Sequence, residues 1–256
     1  MTDPREQQPP VESEAPALPV PPLPEPPPER VPFWGYRDLM LLVAMAFVLM
    51  ILVGTIARLF SRSPSTSALQ AIVVTFVFEG LWFVLLSAVI RLGYGRPFWR
   101  SLGWTTPQGR SLWNCAGWGL LAALITVALG SILPRPNVRS PMEDLLSDRG
   151  SILLLGFFAV TLGPLTEELA FRGFLQPLLA RTFGQIAGLL LQAVPFAIMH
   201  GVEYAWAWQQ LILMFLAGSA FGWMRWKTGS TAASAFMHAG YNLVAVVGIF
   251  AQSFFK

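Results

Sequence analysis

Apolar residues in this chain come in long runs separated by short polar breaks. The runs cover about 39–57, 68–90, 111–133, 151–180, 183–200, 204–226 and 231–255. Crossing a bilayer as a helix takes roughly 20 apolar residues, so each run reaches or approaches a span. The pattern predicts an all-α polytopic membrane protein, a bundle of seven or eight transmembrane helices around a membrane-embedded polar site. The count turns on Gly163-Pro164, which interrupts the 151–180 run. Proline is best tolerated in the first turn of a helix, so a short apolar helix is expected before Pro164 and a second helix after it. Read as one kinked span the chain has seven crossings; read as two it has eight.

The polar breaks add detail. Phe33, Trp34 and Tyr36 precede the first span as aromatic anchors, and tryptophans stand at both ends of the 204–226 run. The loop 91–110 holds four arginines, the densest positive stretch. In a seven-span arrangement it shares one side with the N-terminal tail, the turn after Ala180 and the Arg225-Lys227 turn. Positive charge favours the cytoplasmic side, which places the N-terminus there in a multi-pass cell-membrane protein. In the third span Gly117 and Gly119 offer a neighbouring helix a close approach. Asp144 and Asp148 fall in the loop before the fourth run, where solvated roles are expected.

Composition agrees. The chain is 54% hydrophobic and 12% charged, with a mean hydropathy of +0.56. Soluble domains carry about 25% charged residues, so a soluble fold is excluded. Residues 1–32 hold 12 of the 21 prolines, together with Glu, Ser and Gln, and read as a disordered tail ahead of a helical membrane domain at 33–256. One cysteine, Cys115, rules out an intrachain disulfide and reads as a small apolar residue. The net charge of +3 comes from scattered arginines, so nucleic acid is not an expected partner; the lipid bilayer is.

Against this apolar background, ionisable residues inside the runs stand out, because each is costly at bilayer depth and turns inward to a partner or wet cavity. Glu79 is near the middle of the second run. Glu167, Glu168 and Arg172 lie in the fourth, and the two histidines of the chain, His200 and His238, end one run and occupy another. Asn242 is one turn from His238 and shares its face. Glu168 and Arg172, also one turn apart, suit an ion pair that pins neighbouring helices. That pairing leaves Glu167 without a partner. The set supplies what amide hydrolysis needs: Glu167 to take a proton from water, His200 to share that water or protonate the leaving nitrogen, His238 and Asn242 to stabilise an oxyanion. Arg172 would orient Glu168. A three-ligand zinc site of Glu167, His200 and His238 is the alternative chemistry. Spacing does not signal it, since the histidines are 38 residues apart and no HExxH pattern is present. No phosphate loop or serine nucleophile elbow occurs.

These residues form three motifs in series: Glu167-Glu168-x-x-x-Arg172, Phe196-x-x-x-His200 and His238-x-x-x-Asn242. In this the chain resembles the CPBP intramembrane proteases, which comprise CAAX prenyl endopeptidases of the Ras-converting type and bacterial Abi proteins. The resemblance covers about 150–245. It implies a membrane endopeptidase acting on a peptide or protein substrate, with Glu167 activating water and His200, His238 and Asn242 completing the site. It also brings the family's two mechanisms, metal-free or with one zinc or other divalent metal. A non-catalytic scaffold or bacteriocin-immunity protein on the same fold is the second reading. A proton-coupled transporter is the third, although no internal repeat with paired broken helices is visible. Because no motif residue lies in the tail, deletion of residues 1–30 should leave activity in membranes unchanged; loss of activity with normal insertion would make the tail a recruiting element.

Overall fold

The structure, a computed structural model, describes residues 32–60, 68–134, 136–146 and 148–254. The proline-rich tail expected at 1–32 lies outside these residues except for Pro32. Among the described residues every regular element is helical. Helix α1 (Tyr36–Phe60) opens with Asp38, whose Oδ2 accepts from the Gly35 N–H at 2.8 Å and from the Tyr94 hydroxyl at 2.6 Å. An acid in that turn suits the positive end of the helix. Helix α2 (Ala68–Ala88) runs on into a π-turn at Val89–Gly93 and is followed by the short α3 (Phe98–Ser101). Helix α4 (Leu112–Ile132) starts on a Ser111 cap, and α5 (Pro141–Leu145) on a capping box made by Ser140 and Glu143.

The fourth apolar run is a helical path of 35 residues, Arg149–Phe183. It comprises α6 (Arg149–Val160), capped by Asp148, then α7 (Leu162–Glu168), a π-helical segment Leu169–Leu175, and α8 (Gln176–Phe183). The break falls at Thr161, and Pro164 sits in the first turn of α7, as the sequence predicts. Then come α9 (Gln185–Met199), α10 (Trp208–Thr228) and α11 (Thr231–Phe254). Five helical runs among the described residues are long and apolar enough to cross a bilayer: Tyr36–Leu59, Ala68–Gly93, Leu112–Ile132, Arg149–Phe183 and Thr231–Ser253. Helix α9 is apolar but short, and α10 ends in Arg225 and Lys227. Together they define a multi-pass helical membrane protein. Its outward residues are apolar, as a lipid-facing surface requires; Val43, Phe47, Val48 and Ile51 on α1 are all exposed.

Three features position the interior. Helix α11 lies along α4 at a glycine crossing: a Cβ on Gly119 would run into the Met237 carbonyl, and one on Gly240 into the Ala116 carbonyl. Gly117, expected to share that role, faces open space. The start of α11 is tied to the loop after α3. Thr231 donates its N–H to Gly103 O at 2.8 Å and its hydroxyl to Leu102 O at 2.6 Å. Gly103 takes a φ of +71°, which a side chain would strain. The entry to α1 is fastened to the end of α8, where the Tyr36 hydroxyl donates to Thr182 Oγ1 at 2.8 Å and Arg181 donates to the carbonyls of Pro32 and Trp34. One end of the bundle therefore gathers the start of α1 and the ends of α8 and α10.

The crossing gives a direct test. Gly240→Leu should displace α11 from α4 and lower the thermal stability of the purified protein, whereas Gly117→Leu should leave it near wild type. Equal effects would show that the close approach is not what holds the pair.

Candidate active site

Residues 167 and 168 are neighbours on one helix, so their side chains point about 100° apart, and the fold gives them opposite tasks. Glu168 is turned into the protein and fully buried. Its Oε1 accepts from Arg172 Nη1 at 2.8 Å and from His238 Nδ1 at 3.0 Å, and its Oε2 accepts from the Ser234 hydroxyl at 2.5 Å. Arg172, also fully buried, gives Nη2 to the Gly218 carbonyl at 2.8 Å. Its guanidinium lies 4.4 Å from the Phe196 ring centre and 5.3 Å from that of Phe221, within cation–π range. The expected one-turn pair is thus present. It ties this helix to α10 and α11.

The π-helical segment around Arg172 has a price in backbone hydrogen bonds that other elements meet. An i→i+5 turn leaves carbonyls without their usual partners. Arg225 Nε donates to Arg172 O at 3.2 Å, and the Trp34 indole N–H donates to Phe174 O at 3.0 Å. Trp34 also stacks on the Phe174 ring at 5.1 Å.

Glu167 faces the other way. It is 17% exposed, and its Oε2 is buried with no hydrogen-bond partner. His200 Nε2 stands 4.0 Å from that oxygen. The other imidazole nitrogen, Nδ1, is 2.8 Å from the Phe196 carbonyl. A carbonyl only accepts, so Nδ1 carries a proton, and in the neutral form of the ring Nε2 then turns a lone pair to Glu167. His200 is placed by the turn that ends α9. There Trp206 N–H donates to Gly201 O at 2.7 Å, and Ala205 and Trp206 take φ of 51° and 58°, strained values for residues with side chains. Ser140 and Met142 hold the same turn through the Glu203 carbonyl.

A cavity of ≈ 280 Å³ joins Glu167, His200, Glu203, Tyr204, His238 and Asn242. All six side chains singled out from sequence are therefore placed: Glu167, His200, His238 and Asn242 on the cavity, Glu168 and Arg172 behind it. Asn242 does not have its whole amide free, because Nδ2 donates to Ala159 O at 2.8 Å. His238 stacks on Phe221 with ring centres 4.4 Å apart, which fixes its plane. Sequence reading missed Ser234, although it lies one turn before His238 on the same face. It also left Glu79 open. Glu79 accepts from the Thr166 hydroxyl, next to Glu167, and lines a second, mostly apolar cavity of ≈ 420 Å³ between α1, α2 and the Glu167 helix. Glu167 is on the wall of both cavities.

The zinc alternative needs Glu167, His200 and His238 to converge. No three His, Cys, Asp or Glu side chains among the described residues lie close enough to hold a metal ion. The Glu167 to His200 separation of 4.0 Å exceeds the roughly 3.3 Å between two donors on one tetrahedral zinc. As placed, these residues do not fit a three-ligand site.

A helical membrane bundle with a buried carboxylate–histidine centre is the class this geometry defines. Residues 149–244 match the family described as Type II CAAX prenyl endopeptidase Rce1-like, a protease family. The match spans α6 to the first half of α11 and includes all three motifs. Searches of the curated proteins and of the solved structures gave no match.

The buried network yields a stability prediction. Arg172→Ala removes the cation that faces the buried Glu168 and should cost about 3–5 kcal/mol, while Arg172→Lys should keep part of both stability and activity. An Arg172→Ala protein as thermostable as wild type yet inactive would instead make the arginine a substrate contact.

Proposed function

We propose that this protein is an intramembrane endopeptidase in which Glu167 activates water to cut a peptide bond, as the CAAX-type and bacterial Abi-type resemblance implies. The observation that carries the reading is the unpaired Glu167 Oε2 facing the His200 Nε2 lone pair across 4.0 Å. Two hydrogen bonds of about 2.8 Å meeting at roughly a right angle span that gap, so a water admitted there would donate a hydrogen to each. Such a water is polarised from two sides. As its oxygen bonds to the scissile carbon, Glu167 takes the proton and later delivers it to the leaving nitrogen as the C–N bond breaks. The oxyanion formed meanwhile is assigned to the remaining N–H of Asn242 and to His238, which Glu168 holds in place.

The same reading takes the substrate to be a peptide or protein presented from the membrane. It assigns seven spans, supported by the continuity of Arg149–Phe183 and by the grouping of the α1 start with the α8 and α10 ends. It places the N-terminus in the cytoplasm, the side on which Arg37, Arg91, Arg96, Arg100, Arg181, Arg225 and Lys227 then fall. This reading takes the mechanism to be metal-free, which the 4.0 Å Glu167 to His200 separation supports; zinc held by Glu167, His200 and His238 is the competing form. A scaffold or immunity role without cleavage remains the alternative function.

The test compares peptides released in cells carrying wild type with those in cells carrying Glu167→Gln, together with metal analysis of the purified protein. Glu167→Gln keeps shape and removes the proton acceptor. It should lower cleavage by at least about 10²–10⁴-fold with the fold intact, and chelators should have little effect. Identical peptide sets would overturn the peptidase reading in favour of the scaffold. Stoichiometric metal, lost together with activity in His238→Ala, would overturn the metal-free mechanism.

A further inference from the structure

A polar cavity of ≈ 330 Å³ lies at the end of the bundle where α8 finishes, α9 starts and α10 finishes, away from the Glu167 site. Its walls include Pro32, Gln176, Arg181, Gln185, Arg225 and Trp226. The volume is at the lower end of the range for small-molecule sites, roughly 300–1,000 Å³. Two arginines on one cavity wall call for an anion unless carboxylates neutralise them. Among the described residues neither Arg181 nor Arg225 is within ion-pair distance of a carboxylate, whereas Arg139 and Arg172 both are. Their partners are neutral carbonyls: Pro32 and Trp34 for Arg181, and Arg172 for Arg225. Each guanidinium has five N–H donors, so most of this capacity is unspent.

A second observation comes from Gln176. The side chain is 3% exposed, its Nε2 donates to Gly222 O at 2.9 Å, and its Oε1 is buried with no hydrogen-bond partner. Gln176 thus adds a buried amide to the wall that carries the two unneutralised arginines, which themselves suit a ligand with phosphate oxygens. The height in the bilayer fits as well. The cavity is level with the α1 entry, where Tyr36 is exposed, and with the exposed Trp226, aromatic side chains of the kind that mark a membrane interface. Basic pockets between helices at that level are a recurrent way of holding lipid headgroups.

We propose that the Arg181–Arg225–Gln176 cavity binds the phosphate of an anionic phospholipid, with the phosphate on the two guanidiniums. The bound lipid links the α1 entry to the ends of α8 and α10, and Arg225 in turn contacts the backbone at Arg172.

The experiment uses the full chain in phosphatidylcholine vesicles titrated with phosphatidylglycerol, reading thermal unfolding and tryptophan fluorescence. Wild type should show a saturable rise in unfolding temperature. The Arg181→Lys/Arg225→Lys protein should keep it. The Arg181→Gln/Arg225→Gln protein, checked for helical content by circular dichroism, should bind at least about tenfold more weakly, the least that loss of one charge-assisted hydrogen bond implies. An equal response from the Gln variant would overturn the site. A wild-type response reproduced by inorganic phosphate alone would overturn the lipid assignment in favour of a soluble phosphate. A response that appears only after deletion of residues 1–31 would overturn it too, since Glu25 and Glu29, shortly before Pro32 in sequence, would then be the occupant.

Discussion

A carboxylate with no solvent exposure has to be matched on every side, and Glu168 sets that requirement for this bundle. The matching donors come from three places: Arg172 one turn along its own helix, and Ser234 and His238 on α11. Arg172 brings its own demand, which the Gly218 carbonyl and the faces of Phe196 and Phe221 meet. Helices α9, α10 and α11 are therefore oriented around one charge. The demand also explains two of the buried polar residues at the start of α11, Ser234 and His238, while Ser230 and Thr231 beside them are held by the Thr105 and Leu102 carbonyls. In lipid such a stretch is unfavourable unless each group has a partner, and here each has.

The satisfied charge defines the unsatisfied one. Glu168 takes the arginine, and Glu167, one residue earlier and turned by about 100°, faces a histidine lone pair instead. Two adjacent acids thus divide into a structural anchor and a group with spare proton-accepting capacity. The π-helical segment that follows extends the division. By releasing backbone carbonyls at Arg172 and Phe174 it draws in Arg225 and Trp34, so that helices outside the acid–base centre are fastened to the same segment.

Much of this was legible in the sequence because it depends on spacing within one helix. Four residues separate Glu168 from Arg172, Phe196 from His200 and His238 from Asn242, and each of these pairs lies on one face in the structure. The long apolar runs located the helices, and Pro164 located the start of α7. What spacing cannot reveal is how helices rotate against one another. Ser234 and the Gly218 carbonyl became visible as Glu168 and Arg172 partners only when α10 and α11 were placed. The same holds for the Glu79 to Thr166 contact and for Gly117, which faces away while Gly119 packs. Asn242 was expected as a free donor, but its distance to Ala159 on α6, a helix 83 residues earlier, could not be read from a four-residue motif.

The position of Glu167 between two unlike cavities carries the functional argument one step further. On one side His200, Glu203, Tyr204, His238 and Asn242 stand together in an otherwise apolar lining, groups that accept and donate hydrogen bonds and can hold water. On the other are Leu42, Trp82, Phe171 and Phe174, with Glu79 and Thr166 the polar exceptions. Hydrolysis inside a membrane needs water and an apolar chain segment to reach the same atom from compartments that do not mix. A single carboxylate forming part of both walls meets that need without a continuous water channel through the bundle. On the proposed reading, the apolar side is the one from which a membrane-borne chain approaches. The polar side is then where the water waits, between Glu167 and His200.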